Sequence, residues 1–433
     1  MREVIARLEA RIALLEGRGS GPQGPSAATF VSKTPPPEQK KPGRAPGHEG
    51  ASWSVPSGLP VEVVELSLRH CPDCGGALTR WRDRQDHFVV DLPPIQPVTR
   101  NFRHERAWCR QCRKVVRAPR APDEPPSGHL GMNLLALTAG LKTKAGMTFG
   151  KIAELLSQFG ITVTPSALTM CVRRVAQWLK PCHDEILSEV RSASLVHPDE
   201  TSWPVSGKLR WLWAAVTDRV TAFAIASARN AAAANALLGS KHDRTIVRDS
   251  YSAYSKIAGT HQLCFAHPLR EARDVVAYGD FAARRFHAKL QAIYRYAEIV
   301  SEAREALTKK VYTSEIGGIA KRLSDLTKGE SKNPEVTHLK RRIARDKERL
   351  LTFLHRPGVE PTNNRAERAI RPAVVVRKIS GGSRSDDGAN AHAVITSVDR
   401  SKEHFGVRAL IDLLREAACA ARHRIALEPL LSC

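Results

Sequence analysis

The spacing of apolar positions divides the chain into stretches of different period. Residues 2–16 place Ile5, Leu8, Ile12 and Leu15 three, four and three apart, the seam of a short helix. Two heptads are marginal alone in water, so this seam either packs on its own chain or zips to a second copy. From Gly17 to Gly50 the pattern vanishes into Gly, Pro, Ser and Lys, which predicts a linker that buries too little to order itself. β-type residues then gather at 61–66 and 87–92, and Pro122, Pro125 and Pro126 close that segment. Helical period takes over at 130–192. Ile152, Leu155, Leu156 and Phe159 share one face, Gly160 breaks the run, and Thr164 with Pro165 opens a second helix whose inner face carries Leu168, Val172 and Val175. Arg173 and Arg174 project elsewhere. The pair reads as a helix-turn-helix or as a hairpin that only packs.

The period changes again at 194. Ser194–His197, Leu209–Thr217, Ala222–Ala226 and Thr245–Arg248 are strand-like, and Ala231–Leu238 between the last two is helical. A meander followed by an α/β crossover predicts a mixed sheet. Residues 268–355 are helical and highly charged, with Val336, Leu339, Ile343, Leu350 and Leu354 on one stripe. A last helix over Gly406–Ala426 turns Leu410, Leu413 and Leu414 inward.

Composition narrows the function. The 433 residues carry a formal net charge of +23. Such a surplus predicts attraction to nucleic acid or to an anionic membrane. No apolar run is long enough to span a bilayer, and the first residues lack a secretory apolar stretch. Nucleic acid in a cytoplasmic setting is the expected partner, with no membrane. Of 9 cysteines, four form Cys-x-x-Cys pairs and five are scattered, a reduced chain with one metal site in place of a disulfide framework.

Those pairs are Cys71/Cys74 and Cys109/Cys112. Each offers two sulfurs on one side of a tight knuckle, the spacing a tetrahedral thiolate zinc site requires. Gly75 and Gly76 let the first knuckle curl. The stretch between the pairs is long enough for a β-hairpin. Four thiolates leave no open position, so the zinc expected here is structural. Redox pairing is the other reading. Arg103, Arg106, Arg110, Arg113, Lys114 and Arg117 crowd the second knuckle, as a solvated face or a DNA contact, and Lys40–His48 is a spacer or a basic arm on phosphates.

Three acids stand apart: Asp199 at the end of the first strand, Asp249 after the strand Thr245–Arg248, and Glu367 early on a helix. Carboxylates converging on one sheet edge are what two hard divalent ions need for phosphodiester cleavage. Each also has a plain structural reading: a strand-end turn for the aspartates, and for Glu367 a capping box with Asn364. Glu200 competes with Asp199 but should face the other side of the strand. Cys264-Phe265-Ala266-His267 is a zinc half-site without identified partners or an element supporting Asp249. Trp203, Trp211 and Trp213 serve the core, or in the case of Trp203 a base.

Six motifs in order carry a resemblance. They are Pro42–Gly50, Cys71–Gly76, His197–Thr201, Asp249–Tyr254, Cys264–His267 and Asn363–Arg371. Together the chain resembles bacterial transposases of insertion-sequence-66 type, over about residues 2–400. Ser250 stands where that family has a glycine, and Pro268 where it has a small residue before arginines. The resemblance implies an α/β fold: an RNase-H-like core with a large helical insertion, preceded by a small zinc-binding β domain and an N-terminal helix. The expected order is a coiled-coil-like helix at 1–17, a basic linker at 18–50, a zinc domain at 51–127 and a helical, DNA-binding region at 128–192. The core follows at 193–267, the insertion at 268–355 and the core's remainder at 356–433. The resemblance further implies an Asp/Asp/Glu triad of Asp199, Asp249 and Glu367 on two magnesium or manganese ions. The partners implied are transposon terminal inverted repeats and target DNA, bound by a dimer or larger assembly at the nucleoid. A catalytically silent, transposase-derived DNA-binding regulator is the alternative, and a zinc-stapled RNA-binding scaffold a third.

Overall fold

The computed structural model describes residues 60–423, apart from 68, 79–85, 92–93, 122 and 277–280. The expected N-terminal helix and basic linker lie outside the described residues. The chain divides into two compact units, residues 1–96 and 97–433, a boundary that falls inside the expected zinc domain.

In the first unit, the described residues carry no regular strand. The β-type residues Val61, Val63, Val64 and Leu66, and Phe88, Val89 and Val90, are exposed. High β propensity alone does not make a strand without a partner to pair with and a face to bury. The first knuckle is nonetheless formed. Gly75 N–H bonds Cys71 C=O at 2.9 Å, Cys71 N–H bonds Gly76 C=O at 3.0 Å, and Gly75 takes the left-handed backbone (φ +73°) that the turn demands.

The second unit opens with a hairpin, β1 (Arg106–Cys109) and β2 (Lys114–Arg117), paired antiparallel with Cys109 opposite Lys114. The second knuckle is therefore the tip of a hairpin, and among the described residues no complete hairpin lies between the two cysteine pairs. Four helices follow: α1 (Met132–Thr143), α2 (Phe149–Gln158), α3 (Pro165–Trp178) and α4 (Lys180–Ser192). Thr164 and Pro165 open α3 as the sequence predicts, and Thr148 caps α2 as well. Thr148 Oγ accepts Lys151 N–H, Thr164 Oγ accepts Ala167 N–H, and Pro165 occupies the first turn. Leu168, Val172 and Val175 are buried. Arg173 is tied to Ser385 and Asp387, and Arg174 to the Ser127 carbonyl.

A five-stranded sheet comes next, built from β3 (Leu195–Ser202), β4 (Trp211–Val216), β5 (Thr221–Ala226), β6 (Thr245–Arg248) and β7 (Thr260–Leu263), with α5 (Ala231–Leu238) crossing between β5 and β6. Its order is β5-β4-β3-β6-β7. β3, β4 and β5 run antiparallel, and β3, β6 and β7 parallel. Side chains alternate between two cores. Trp213, Ala215 and Val196 face a cluster with α1, α3, α4 and α5, whereas Leu212, Ala214 and Phe223 face Ile370, Ala373 and Val376.

The helical insertion comprises α6 (Ala266–Val276), α7 (Phe281–Glu302), α8 (Lys309–Thr327) and α9 (Pro334–Leu350). The predicted stripe Val336, Leu339, Ile343, Leu350 and Leu354 is buried in a separate core that also holds Val247, Leu263 and Phe265, so the insertion sits against the β6–β7 edge. Pro268 lies in the first turn of α6, where a missing N–H costs nothing. The chain ends its described part with α10 (Asn364–Ser380), α11 (Asp386–Arg400) and α12 (Leu410–His423). α11 seals the edge of the sheet. Ser397 and Ser401 hydroxyls accept the Phe223 and Thr221 N–H groups of β5 at 2.7 and 2.8 Å.

Candidate active site

β3 runs to Ser202, longer than its apolar run, so Asp199 lies inside a strand and not at its end. The extension is stabilised by pairing with β4, which places Asp199 opposite Ala214. Directly paired residues share a face, so Asp199 faces α10, whose Ile370 and Ala373 pack on Ala214. β3 and β6 are in register at Val196 and Ile246; Asp199 and Asp249 each lie three residues further on. Tyr251 N–H bonds Asp249 Oδ1 at 2.9 Å, fixing the turn after β6. Beneath it, the buried Arg248 guanidinium reaches the Asp249 carbonyl at 2.8 Å and His261 Nδ1 at 2.9 Å.

Glu367 comes from the first turn of α10. The capping-box expectation fails here. The cap residue is Asn363, its side chain makes no cap bond, and Glu367 Oε1 instead takes Arg270 of α6 at 2.8 Å. Asn363 is used differently: its amide donates to the Pro198 carbonyl at 2.8 Å, next to Asp199. The start of α10 is clamped again from β7, where Phe265 N–H bonds Pro361 C=O at 2.9 Å. Burial raises the Cys264 thiol, with the backbone N–H groups of Asn363 and Ala266 acting against it. Cys264-Phe265-Ala266-His267 thus supports the helix of Glu367 more than it supports Asp249.

The electrostatics follow from this packing. Burial pushes the Asp199 carboxyl up to about 8; the charge of Glu200 adds to it, as do those of Asp249 and Glu367, against the Glu200 N–H that bonds Asp199 Oδ1 at 2.9 Å. Glu200 itself faces away. It is locked by Tyr254 Oη and by Arg229 at 2.7 Å, with Arg229 stacked on Tyr251 and Trp211. Glu367 leans on Arg270. Among the described residues, the trio of donor atoms that all lie within 4.8 Å of one another is Cys264, His267 and Glu367, not the three acids. Burial and Arg270 together hold the His267 imidazole below its usual range, in its neutral form.

Trp203 is not available to a base. It is 1% exposed, stacked on His392 with centroids 4.4 Å apart, and its indole N–H donates to Ser383. The two knuckles are described each in its own unit. N–H groups of Cys74 and Asp73 lower the Cys71 thiol, and that of Cys112, 3.4 Å from the Cys109 sulfur, lowers Cys109. All six basic residues around the second knuckle are exposed, and Trp108 beside them is 61% exposed. Arg270 and Asn363 escaped the sequence reading. Asn363 adjoins a residue assigned to a cap, whereas nothing in the spacing singles out Arg270 among the basic residues of its helix.

The core is a mixed five-stranded sheet with helices packed on both faces. The profile of the family described as "Transposase IS66 family" matches residues 127–391, and the chain belongs to that family of transposases. Relatives from Sinorhizobium fredii include uncharacterized protein y4jD, 27% identical over 80% of this chain and 73% of its own length. Uncharacterized protein y4qI of the same organism is 26% identical over 80% of this chain and 69% of its own. Among the described residues, no helix is long and apolar enough to cross a membrane.

Proposed function

We propose that the chain is a DDE-type DNA transposase that binds the ends of its element and carries out divalent-ion-dependent strand cleavage and strand transfer. The observation that carries this reading is geometric: the β3–β6 register sets Asp199 and Asp249 each three residues beyond the Val196–Ile246 pair, and the Asn363 amide ties the helix of Glu367 to Pro198, next to Asp199. Oxygen donors of this kind suit magnesium or manganese. Asp199, Asp249 and Glu367 would hold the ions, Glu367 after leaving Arg270. Bound ions supply Lewis acidity at the attacking and leaving oxygens.

The chain's own contribution is positioning. Asn363 and Phe265 fix α10 against β3 and β7, so the third acid starts from a rigid helix. Arg368, Arg371 and Lys378 are exposed on that same helix, suited to the phosphate backbone. Water would attack the phosphodiester at the element's end, leaving a 3′-hydroxyl and a 5′-phosphate. That hydroxyl would then displace a target phosphodiester, one ester bond forming as one breaks. The sheet order supports reading this core as RNase-H-like. The paired knuckles would share one structural zinc through four thiolates, and the exposed basic hairpin would lie on DNA as part of a dimer or larger assembly. Purified protein with magnesium or manganese should cut labelled duplex carrying the gene's own flanking inverted repeats, and Asp199→Asn should not. Binding without cutting by the wild type would leave the DNA-binding regulator in its place.

A further inference from the structure

Cys264, His267 and Glu367 bring a thiol, an imidazole and a carboxylate within 4.8 Å of one another, at the junction of β7, α6 and α10. We infer that these three side chains form a site for a borderline divalent ion of the zinc type, and that its occupancy engages Glu367 away from Asp199 and Asp249. The donor set decides the ion. Magnesium takes oxygen, whereas sulfur and imidazole together select zinc or cobalt. Around a tetrahedral ion with bonds of about 2.0–2.3 Å the donors sit roughly 3.5 Å apart, so the trio needs to close by only about 1 Å. Cys264 is buried and its backbone is pinned by its N–H on the Arg248 carbonyl at 2.7 Å. His267 and Glu367 lie on the first turns of two helices and are half-buried, open enough for an ion to enter. Arg270 already brings a cation to this spot, 2.8 Å from Glu367 Oε1 and 3.5 Å from both ring nitrogens of His267. A zinc ion would displace that guanidinium. The site itself does not depend on the nuclease reading; only the effect on the other two acids rests on it.

The test counts zinc per full-length chain after dialysis against buffered zinc, in wild type, Cys264→Ser and Glu367→Gln. One equivalent fewer in both variants is the expected result. It reads as a difference, so zinc in the knuckles cancels. Cobalt in place of zinc should give wild type a thiolate charge-transfer band that Cys264→Ser lacks. His267→Gln, at a half-buried position that tolerates an amide, should weaken the binding by about 10-fold or more. Equal metal content in wild type and Cys264→Ser overturns the site. Zinc content that falls in Cys264→Ser but not in Glu367→Gln overturns the engagement of Glu367. A chain that binds this zinc yet, freed of zinc and given magnesium or manganese, cuts no DNA refutes the nuclease reading and leaves the site standing.

Discussion

Asp199 and Asp249 stand level with one another, each three residues beyond the Val196–Ile246 pair that joins β3 to β6 in parallel. Parallel register carries two acids separated by fifty positions in sequence to the same end of neighbouring strands. Glu367 starts a helix held to β3 by the Asn363 amide on Pro198. The proposed site would thus be an outcome of strand register and one helix clamp.

The clamp is open to direct test. Asn363→Ala removes a buried amide and leaves the Pro198 carbonyl bare, at a cost of about 1–3 kcal/mol. Denaturant melting should report that loss. End cleavage should fall by more than the stability loss explains, because the start of α10 is freed; unchanged cleavage in a stable variant would show that this hydrogen bond does not position Glu367.

The sealed edge of β5 gives a prediction remote from the acids. Ser397→Ala strips the Phe223 N–H of its partner at 2.7 Å. A buried donor left bare should destabilise the protein by about 1–3 kcal/mol. A loss within experimental error would show that the serine is replaceable by water.

Acid should weaken the fold through buried histidines. Burial, before any other cause, depresses His197 to about 4, His261 to about 4 and His392 to about 3. Below about pH 6.5 the unfolded imidazoles take up protons and the folded ones do not, so unfolding gains. The stability these groups contribute is full above pH 6.5 and is lost as pH falls toward 4. Each should contribute on the order of 1–2 kcal/mol of that loss by pH 5. A melting temperature flat between pH 7 and 5 would contradict the burial of these rings.

Much of this architecture was legible in the sequence. β6 falls on the predicted Thr245–Arg248, and the stripe from Val336 to Leu354 is buried, because apolar periodicity reports burial directly. Glu200 faces away from Asp199, as strand alternation requires. Three things were not legible. β7 and α11 carry weak local patterns and are set by tertiary packing: β7 by its pairing with β6, α11 by the bare edge of β5. Arg270 is one basic residue among many, and only the fold brings it to Glu367. The runs 61–66 and 87–92 read as strands by propensity, yet their described residues have neither a paired neighbour nor a buried face.

The basic hairpin should govern DNA affinity. Replacing Arg106, Arg110, Arg113 and Lys114 by Ala together should weaken binding to any duplex and lower the salt slope by about 0.9 for each phosphate the protein no longer neutralises. Fluorescence anisotropy across a salt series reads both. An unchanged slope would place the phosphate-binding surface elsewhere, with the stripe of Arg368, Arg371 and Lys378 the next to test.

Zinc in the knuckles should act on folding, not on cutting. A strong chelator should unsettle residues 51–127 and leave the later core folded, seen as early proteolysis confined to that segment. Chelator-resistant cleavage patterns would argue against a thiolate site.

The convergence of the three acids is tested most directly by counting manganese by electron paramagnetic resonance, in zinc-free buffer without DNA. Bound ion should be present in the wild type and reduced in each of Asp199→Asn, Asp249→Asn and Glu367→Gln, all three acting on the same ions. A wild type that binds no manganese, or occupancy untouched by replacing any one of the three, would contradict the shared site.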